Sequence, residues 1–316
     1  MAVIWLSVIK RRKFLEILEY ISEVDNKIRF TLQEETNMNR KVMFNTISEF
    51  FILIVLPCTA IVYLTYETGS GQNYIFFIKA TIKYLPDICN ELVMFQFCNL
   101  VLMMKLRYTH LKKRLTKRIN SAISRQICLK KRNESCSQTE RAFDQVHIAS
   151  LYVSSVRNIE GTLRQTDIHL LRQIYSEMYD VTCLINDTYG IPILATMCCM
   201  LTGVVFFLYR VLFNFKEWGI ANAVFAIIYC VFFFKVTFYC HTATNEARSS
   251  RIVVQKLLLE GNCRIECVKQ LKMFSLQLQE MTNEYTACGF FTLNLKLFAS
   301  VVSAIVSYVI IIVQIK

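Results

Sequence analysis

The sequence predicts an all-α, polytopic α-helical membrane protein, and three observations carry that prediction. Of 316 residues, 54% are hydrophobic, and the mean hydropathy is positive; an ordinary soluble domain sits at roughly 45–50% apolar residues. The excess is gathered into blocks of about 20 residues, the length at which a helix crosses a hydrocarbon core ~30 Å thick. The net charge of +12 alternates between the blocks, as it does when Lys and Arg are retained on the cytoplasmic side. In a soluble chain such a charge would suggest nucleic acid. Here no zinc finger or RNP-like motif accompanies it, and no nucleic-acid partner is expected.

Five blocks qualify as full spans: Ser48–Tyr66, Pro86–Leu106, Ile191–Phe213, Ile220–Cys240 and Leu293–Ile315. Pro57 sits mid-span in the first and predicts a kink. The second and third open with prolines, which a first helical turn tolerates. Lys and Arg number eight in residues 10–47, two in 67–85, fifteen in 105–189, two in 210–219 and six in 241–295. The N-terminus is therefore expected inside and the C-terminus outside, the reverse of a G-protein-coupled receptor. The start, "MAVIWLSVI", is too short to span and has its charges on the wrong side for a signal peptide; it looks like the last turns of a membrane helix.

Between the spans the pattern is amphipathic. Val156, Ile159, Leu163, Leu170, Ile174, Met178 and Val181 fall on one helical face. Shorter helices are expected at Phe14–Phe30, Tyr108–Leu129 and Ile265–Glu284. The predicted organisation is a helix remnant at 1–9, a cytoplasmic helical segment at 10–47, two spans in 48–106, cytoplasmic anchor helices at 107–189, two spans in 190–240, further anchor helices at 241–291 and a final membrane helix at 292–316. The apolar stripes of the anchor helices require cover from one another, from membrane lipid or from a second subunit. The sequons at Asn133 and Asn186 fall on the predicted cytoplasmic side and read as chance matches.

No catalytic constellation is present. His110, His147, His169 and His241 are scattered, Cys263 and Cys267 lack a second ligand pair for zinc, and there is no Walker A loop, GxSxG or HExxH. Neither an enzymatic activity nor a cofactor or metal is expected. The thirteen cysteines, an odd number, lie mostly in apolar or basic segments and imply no secreted-type disulfide framework. Polar residues inside spans are the better functional signal. Gln96 and Asn99 share a face and suit interhelical hydrogen bonding, Glu91 lies near an outer end within reach of water, and Lys235 is placed to snorkel inward.

The last helix differs from the others. Ser300, Ser303, Ser307, Ile311 and Gln314 recur at intervals of 3, 4, 4 and 3, one stripe along one face. Small residues suit close helix packing. The same stripe also suits a water-facing wall narrowed near its outer end by Ile311 and Ile315, where aliphatic residues gate by dewetting. A pore made from one helix per chain requires several copies around an axis.

These residues carry a resemblance. Phe274–Lys316, "FSLQLQEMTNEYTACGFFTLNLKLFASVVSAIVSYVIIIVQIK", resembles the C-terminal signature of insect gustatory receptors, which ends Thr-Tyr, five hydrophobic residues, Gln-Phe. Here that is Ser307-Tyr308, Val309–Val313, Gln314-Ile315, with serine for threonine and isoleucine for phenylalanine. Weaker similarity extends back to about residue 10. The resemblance implies seven-helix, N-inside plasma-membrane proteins that assemble as tetrameric ligand-gated cation channels, alone or with related receptors. It implies a last helix lining the pore, cytoplasmic helices anchoring the subunits, and an outward-open pocket for a small-molecule tastant. Tyr63, Tyr66 and Glu91 are the ligand-contact candidates. Five spans rather than seven imply an N-terminally shortened chain. The alternatives are an incomplete member without channel activity and a non-channel transporter, the latter disfavoured by the lack of an internal repeat.

Overall fold

Helices account for nearly all of the described backbone, because long apolar stretches with few glycines or prolines leave the chain no better way to satisfy its amides. The computed structural model describes residues 11–28, 34, 36–48, 51, 90–117, 165–213, 215–260 and 265–315. Among them the helices are α1 (Arg11–Ile28), α2 (36–48), α3 (90–117), α4 (Gln165–Phe213), α5 (Phe215–Glu260), α6 (Ile265–Glu280) and α7 (Leu295–Ile315). A two-residue antiparallel pair, β1 (Thr286–Ala287) and β2 (Phe291–Thr292), precedes α7.

Three of these helices are long and apolar enough to cross a membrane: Ile168–Leu212 within α4, Ala223–Leu259 within α5, and Leu295–Gln314 in α7. They overlap the third, fourth and fifth expected spans. The second expected span is described from residue 90, where α3 is helical through residue 117. The first lies almost entirely outside the described residues, as does the segment 1–9.

The expected breaks between spans and cytoplasmic helices do not occur at 189/190 or 240/241, since α4 and α5 run through both points. Pro192, expected in a first helical turn, lies well inside the 49-residue α4. An interior proline costs roughly 3 kcal/mol, and it is accommodated where Ile185, Tyr189, Ile193 and Met197 pack closely on either side of it. The Thr196 hydroxyl donates to the Pro192 carbonyl at 2.7 Å, a local device common where proline interrupts an apolar helix. In α5 Phe225 and Thr237 are buried, and so is a regular series: Ala226, Tyr229, Phe233, Val236, Cys240, Ala243, Ala247, Ser250, Val254 and Leu257. This unbroken 3/4 alternation gives α5 one continuous packed face.

The described residues belong to two units, one drawn from Met1–Leu106, Asp180–Thr244 and Glu284–Lys316, the other from Arg107–Tyr179 and Asn245–Asn283. In the first, α1 buries Ile17, Ile21, Val24 and Ile28, one stripe of an amphipathic helix. Asn99 of α3 meets α2: its amide oxygen lies 3.5 Å from Asn45 Nδ2 and from Thr46 Oγ1. The Tyr239 hydroxyl of α5 donates to Asn45 Oδ1 at 2.7 Å. Gln96, expected beside Asn99, is exposed instead.

In the second unit, Ile174, Tyr175 and Met178 of α4 are buried with Leu271, Phe274 and Leu278 of α6 and Tyr108, Leu111 and Leu115 of α3. The amphipathic stripe is thus covered within the chain at its C-terminal end. Leu170, expected on that stripe, is exposed, and Ile168 takes its place; Val156, Ile159 and Leu163 lie outside the described residues. At the centre sits Asn283, which accepts from the Tyr108 hydroxyl at 2.8 Å and donates to the Tyr175 oxygen at 2.6 Å. Tyr175 packs edge-on against Tyr108 and Phe274. Burial pushes its hydroxyl up to about 12, with the Asn283 bond acting the other way. An ion pair between Lys112 and Glu246 at 3.1 Å joins α3 to α5 at a partly exposed edge.

Candidate pore helix and ligand recess

The base of α7 is set by three asparagine and glycine contacts, all in the first unit. Asn294 is the N-cap: its Oδ1 accepts from the Leu297 amide at 2.9 Å, and its Nδ2 donates to Thr292 Oγ1 at 2.8 Å. Such a cap satisfies an amide that has no partner within the helix and is worth about 1 kcal/mol. Upstream, Asn186 of α4 acts like a strand edge. Its Nδ2 donates to the Glu284 carbonyl at 2.8 Å and its Oδ1 accepts from the Thr286 amide at 3.2 Å. The side chain of that sequon is therefore engaged in holding the hairpin. The hairpin turn has positive φ at both Cys288 (52°) and Gly289 (75°), with the Phe290 amide bonded to the Ala287 carbonyl at 3.0 Å, as a type I′ turn requires. The tip lies against Gly190, where an added Cβ would stand 3.0 Å from the Cys288 amide nitrogen and 3.2 Å from its sulfur. Beside it, Tyr285 is buried against Phe97 at 6.1 Å in edge geometry, and burial raises its hydroxyl pKa well above the usual value.

From this base α7 rises for 21 residues, about 32 Å. It has one packed face. Phe298 meets Phe233 at 6.0 Å and Phe234 at 5.2 Å, and Phe298, Val301 and Ile305 share an apolar crevice with α4 and α5. Residues 298, 301, 305, 309 and 312 are half-buried along this line. At about 100° per residue, Ser300, Ser303, Ser307, Ile311 and Gln314 lie on the opposite face, and all five are exposed. The hydroxyls of Ser300 and Ser307 donate to the carbonyls of Lys296 and Ser303, both at 3.0 Å. Tyr308 is exposed to one side of the stripe. The Ile315 side chain lies outside the described residues.

Of the ligand candidates, Tyr63 and Tyr66 lie outside the described residues. Glu91, expected to reach water, is buried at 5% exposure. It lines a recess with Asn90 of α3, Thr196, Cys199 and Met200 of α4, and Tyr229 of α5, about 220 Å³ including the space open to solvent. The reason it does not reach water is that it falls on the packed side of α3, with Met94, Phe97 and Cys98, while Leu92 and Gln96 occupy the exposed side. Lys235, expected to snorkel, is half-buried with its ammonium 5.9 Å from the Tyr239 ring. Cys263 lies outside the described residues. Gly190, Asn283 and Asn294 were not singled out from sequence, and Asn186 was noted only as a chance sequon. Only Asn294 carried a signal, a polar residue just ahead of an apolar run.

Long apolar helices of this kind define a multi-pass membrane protein, and comparison with known proteins narrows the class. The profile of the family described as "7tm Chemosensory receptor" matches residues 1–316, so the chain belongs to that family of multi-pass membrane receptors, which is not an enzyme family. The fold is similar to that of the insect olfactory receptor OR5 from Machilis hrabei, with TM-score 0.68 and 11% identity over 99% of this chain and 79% of that one. It is also similar to the same receptor in complex with eugenol, with TM-score 0.60 and 11% identity over 90% of this chain and 69% of that one. No curated protein sequence matches the chain significantly.

Proposed function

We propose that this chain is a gustatory receptor: one subunit of a tetrameric, ligand-gated cation channel of the plasma membrane, with its N-terminus in the cytoplasm. In this reading α7 lines the central pore through Ser300, Ser303, Ser307, Ile311, Gln314 and Ile315, and the recess around Glu91 belongs to the tastant site. The second unit supplies the cytoplasmic anchor. The observation that carries the reading is the placement of the stripe. The hydroxyl and amide side chains occupy the face of α7 opposite its contact with α4 and α5, where a second, third and fourth copy of the helix would stand around a four-fold axis. The bulk of Ile311 near the outer end suits a dewetting constriction, and an amide at Gln314 can replace water of hydration. That the eugenol complex belongs to a protein of the same fold supports a small organic molecule as ligand.

Cysteine scanning of residues 300–314 tests the reading. With a membrane-impermeant thiol reagent on cells expressing the full chain, modification should peak at 300, 303, 307, 311 and 314 and should alter cation current. Uniform protection, or a maximum on the Tyr308 side, refutes the assignment of the pore face.

A further inference from the structure

Two recesses in the first unit share a wall. The polar one contains Glu91 and Cys199. The apolar crevice lies behind α7, about 250 Å³ including open space, where Cys230 and Phe233 of α5 face Phe298, Val301 and Ile305. Met200 and Tyr229 line both. Tyr229 is buried, at 8% exposure, and the Cδ2–Cε2 edge of its ring lies against Gly203. A Cβ at that glycine would stand 2.5 Å from Cε2 and 2.9 Å from Cδ2 of the ring, so a glycine is what permits the ring to occupy this position. On another side stands Phe207, 5.8 Å away at 54°, itself stacked on Phe225 at 5.4 Å.

A ring held between a glycine and an aromatic pair faces the recess on one side and the crevice on the other, each with room for about one water molecule, so the ring has little slack. Filling the recess presses the ring toward the crevice, where the next layer of side chains belongs to α7. A packed interior passes such displacements on because it has little empty space to absorb them. We propose that Tyr229, resting on Gly203, is the partition that transmits occupancy of the polar recess to the packed face of α7. The proposal rests on α7 being the pore helix only for its functional consequence; the mechanical link is a property of the unit itself.

The test uses the full chain in cell membranes and a defined probe, benzyl methanethiosulfonate, which attaches a benzyl group at Cys199, an exposed residue of the recess. Cys198 and Cys288, also exposed, are first replaced by alanine. The readout is the rate of maleimide labelling at Cys230 in the crevice, measured by peptide mass spectrometry. Occupying the recess should change that rate at least about twofold, the lower end of what residues on a coupling route exert, and the change should vanish in Tyr229→Ala. In Gly203→Ala the displaced ring should alter Cys230 labelling with no probe present, and adding Tyr229→Ala should restore the original rate. An unaltered Cys230 rate despite complete Cys199 modification overturns the proposal, as does an equal change with and without the Tyr229 ring. Tyr229→Leu serves where the alanine variant does not accumulate. Cation current is recorded in parallel. Coupled labelling without current in any variant refutes the channel reading and leaves the transmission intact, whereas current that responds to the probe equally in Tyr229→Ala refutes the transmission alone.

Discussion

Asn283→Leu should be among the most damaging single substitutions in the second unit, although it replaces a polar residue with an apolar one of similar size. Asn283 is 4% exposed and joins Tyr108 and Tyr175 through bonds of 2.8 and 2.6 Å. Each such bond has a net worth of about 0.5–1.5 kcal/mol, and stranding a buried polar partner raises the loss to about 1–3 kcal/mol. Two bonds therefore bound the cost at roughly 1 to 6 kcal/mol, with about 3 kcal/mol as the central expectation. For a chain of this size 1 kcal/mol corresponds to about 2–4 °C or less in Tm, so a fall of several degrees is expected in detergent-solubilised protein followed by size-exclusion fluorescence. The decisive measurement is a cycle. In a Tyr108→Phe, Tyr175→Phe background, the asparagine no longer serves either hydroxyl, and Asn283→Leu should cost far less or stabilise. An equal loss in both backgrounds would show that the penalty arises from shape alone, and the hydrogen-bonded centre argued here would be wrong.

Gly190→Val should overpack the hairpin tip by about 1–3 kcal/mol, since Cys288 already stands 3.0 Å from an added Cβ; unchanged Cys288 labelling by maleimide would contradict this. Ile311→Ala should raise basal cation current, because it removes bulk from the exposed stripe; whole-cell recording without ligand checks it. Asn186→Gln should lower stability by about 1 kcal/mol through the loss of its two backbone bonds, while an endoglycosidase should leave the gel mobility of the wild-type chain unshifted on account of Asn186. On the alkaline side, the folded-state pKa of Tyr175 is raised to about 12 from 10.0. Its contribution to stability is then fully present below pH 10 and is lost as pH rises through about 12. Tyr175→Phe should flatten that alkaline decline in a thermal-shift series.

The helices were legible because periodicity reports which side chains share a face, whatever covers that face. The final helix, expected from Leu293 and found from Leu295, was legible for this reason. What periodicity does not report is where a helix stops when two differently solvated stretches have compatible faces. The regular buried series of α5 keeps one alternation from Ala226 to Leu257, so the change from strongly apolar to charged composition near residue 240 marks no break in the backbone. Pro192 misled for a related reason: its local penalty points to a terminus, but packing on both sides accommodates it. Across large sequence separations the expectation that Asn99 would bond to another helix held, but its partners were not legible. Asn186 reaches Thr286 and Asn283 reaches Tyr108, and nothing near any of these residues announces its partner.

The stripe on α7 shows how far a sequence pattern can be pressed. Serine in an apolar helix can return its proton to its own backbone, and Ser300 and Ser307 do so. These two hydroxyls therefore tolerate lipid, a neighbouring helix or water, and their presence alone does not choose among the three. Gln314 is different. Its amide has two donors and an acceptor, its side chain is exposed at the C-terminal end of the same face, and a buried amide without partners costs at least about 1–3 kcal/mol by protein measures. The residue that discriminates is thus the amide. Gln314→Leu should be neutral or favourable to accumulation of the chain in membranes if the face meets lipid. If four such amides surround water, it should leave accumulation unchanged and reduce cation conductance. A higher yield of Gln314→Leu with unaltered conductance would place the stripe against lipid and end the pore assignment, however regular its spacing.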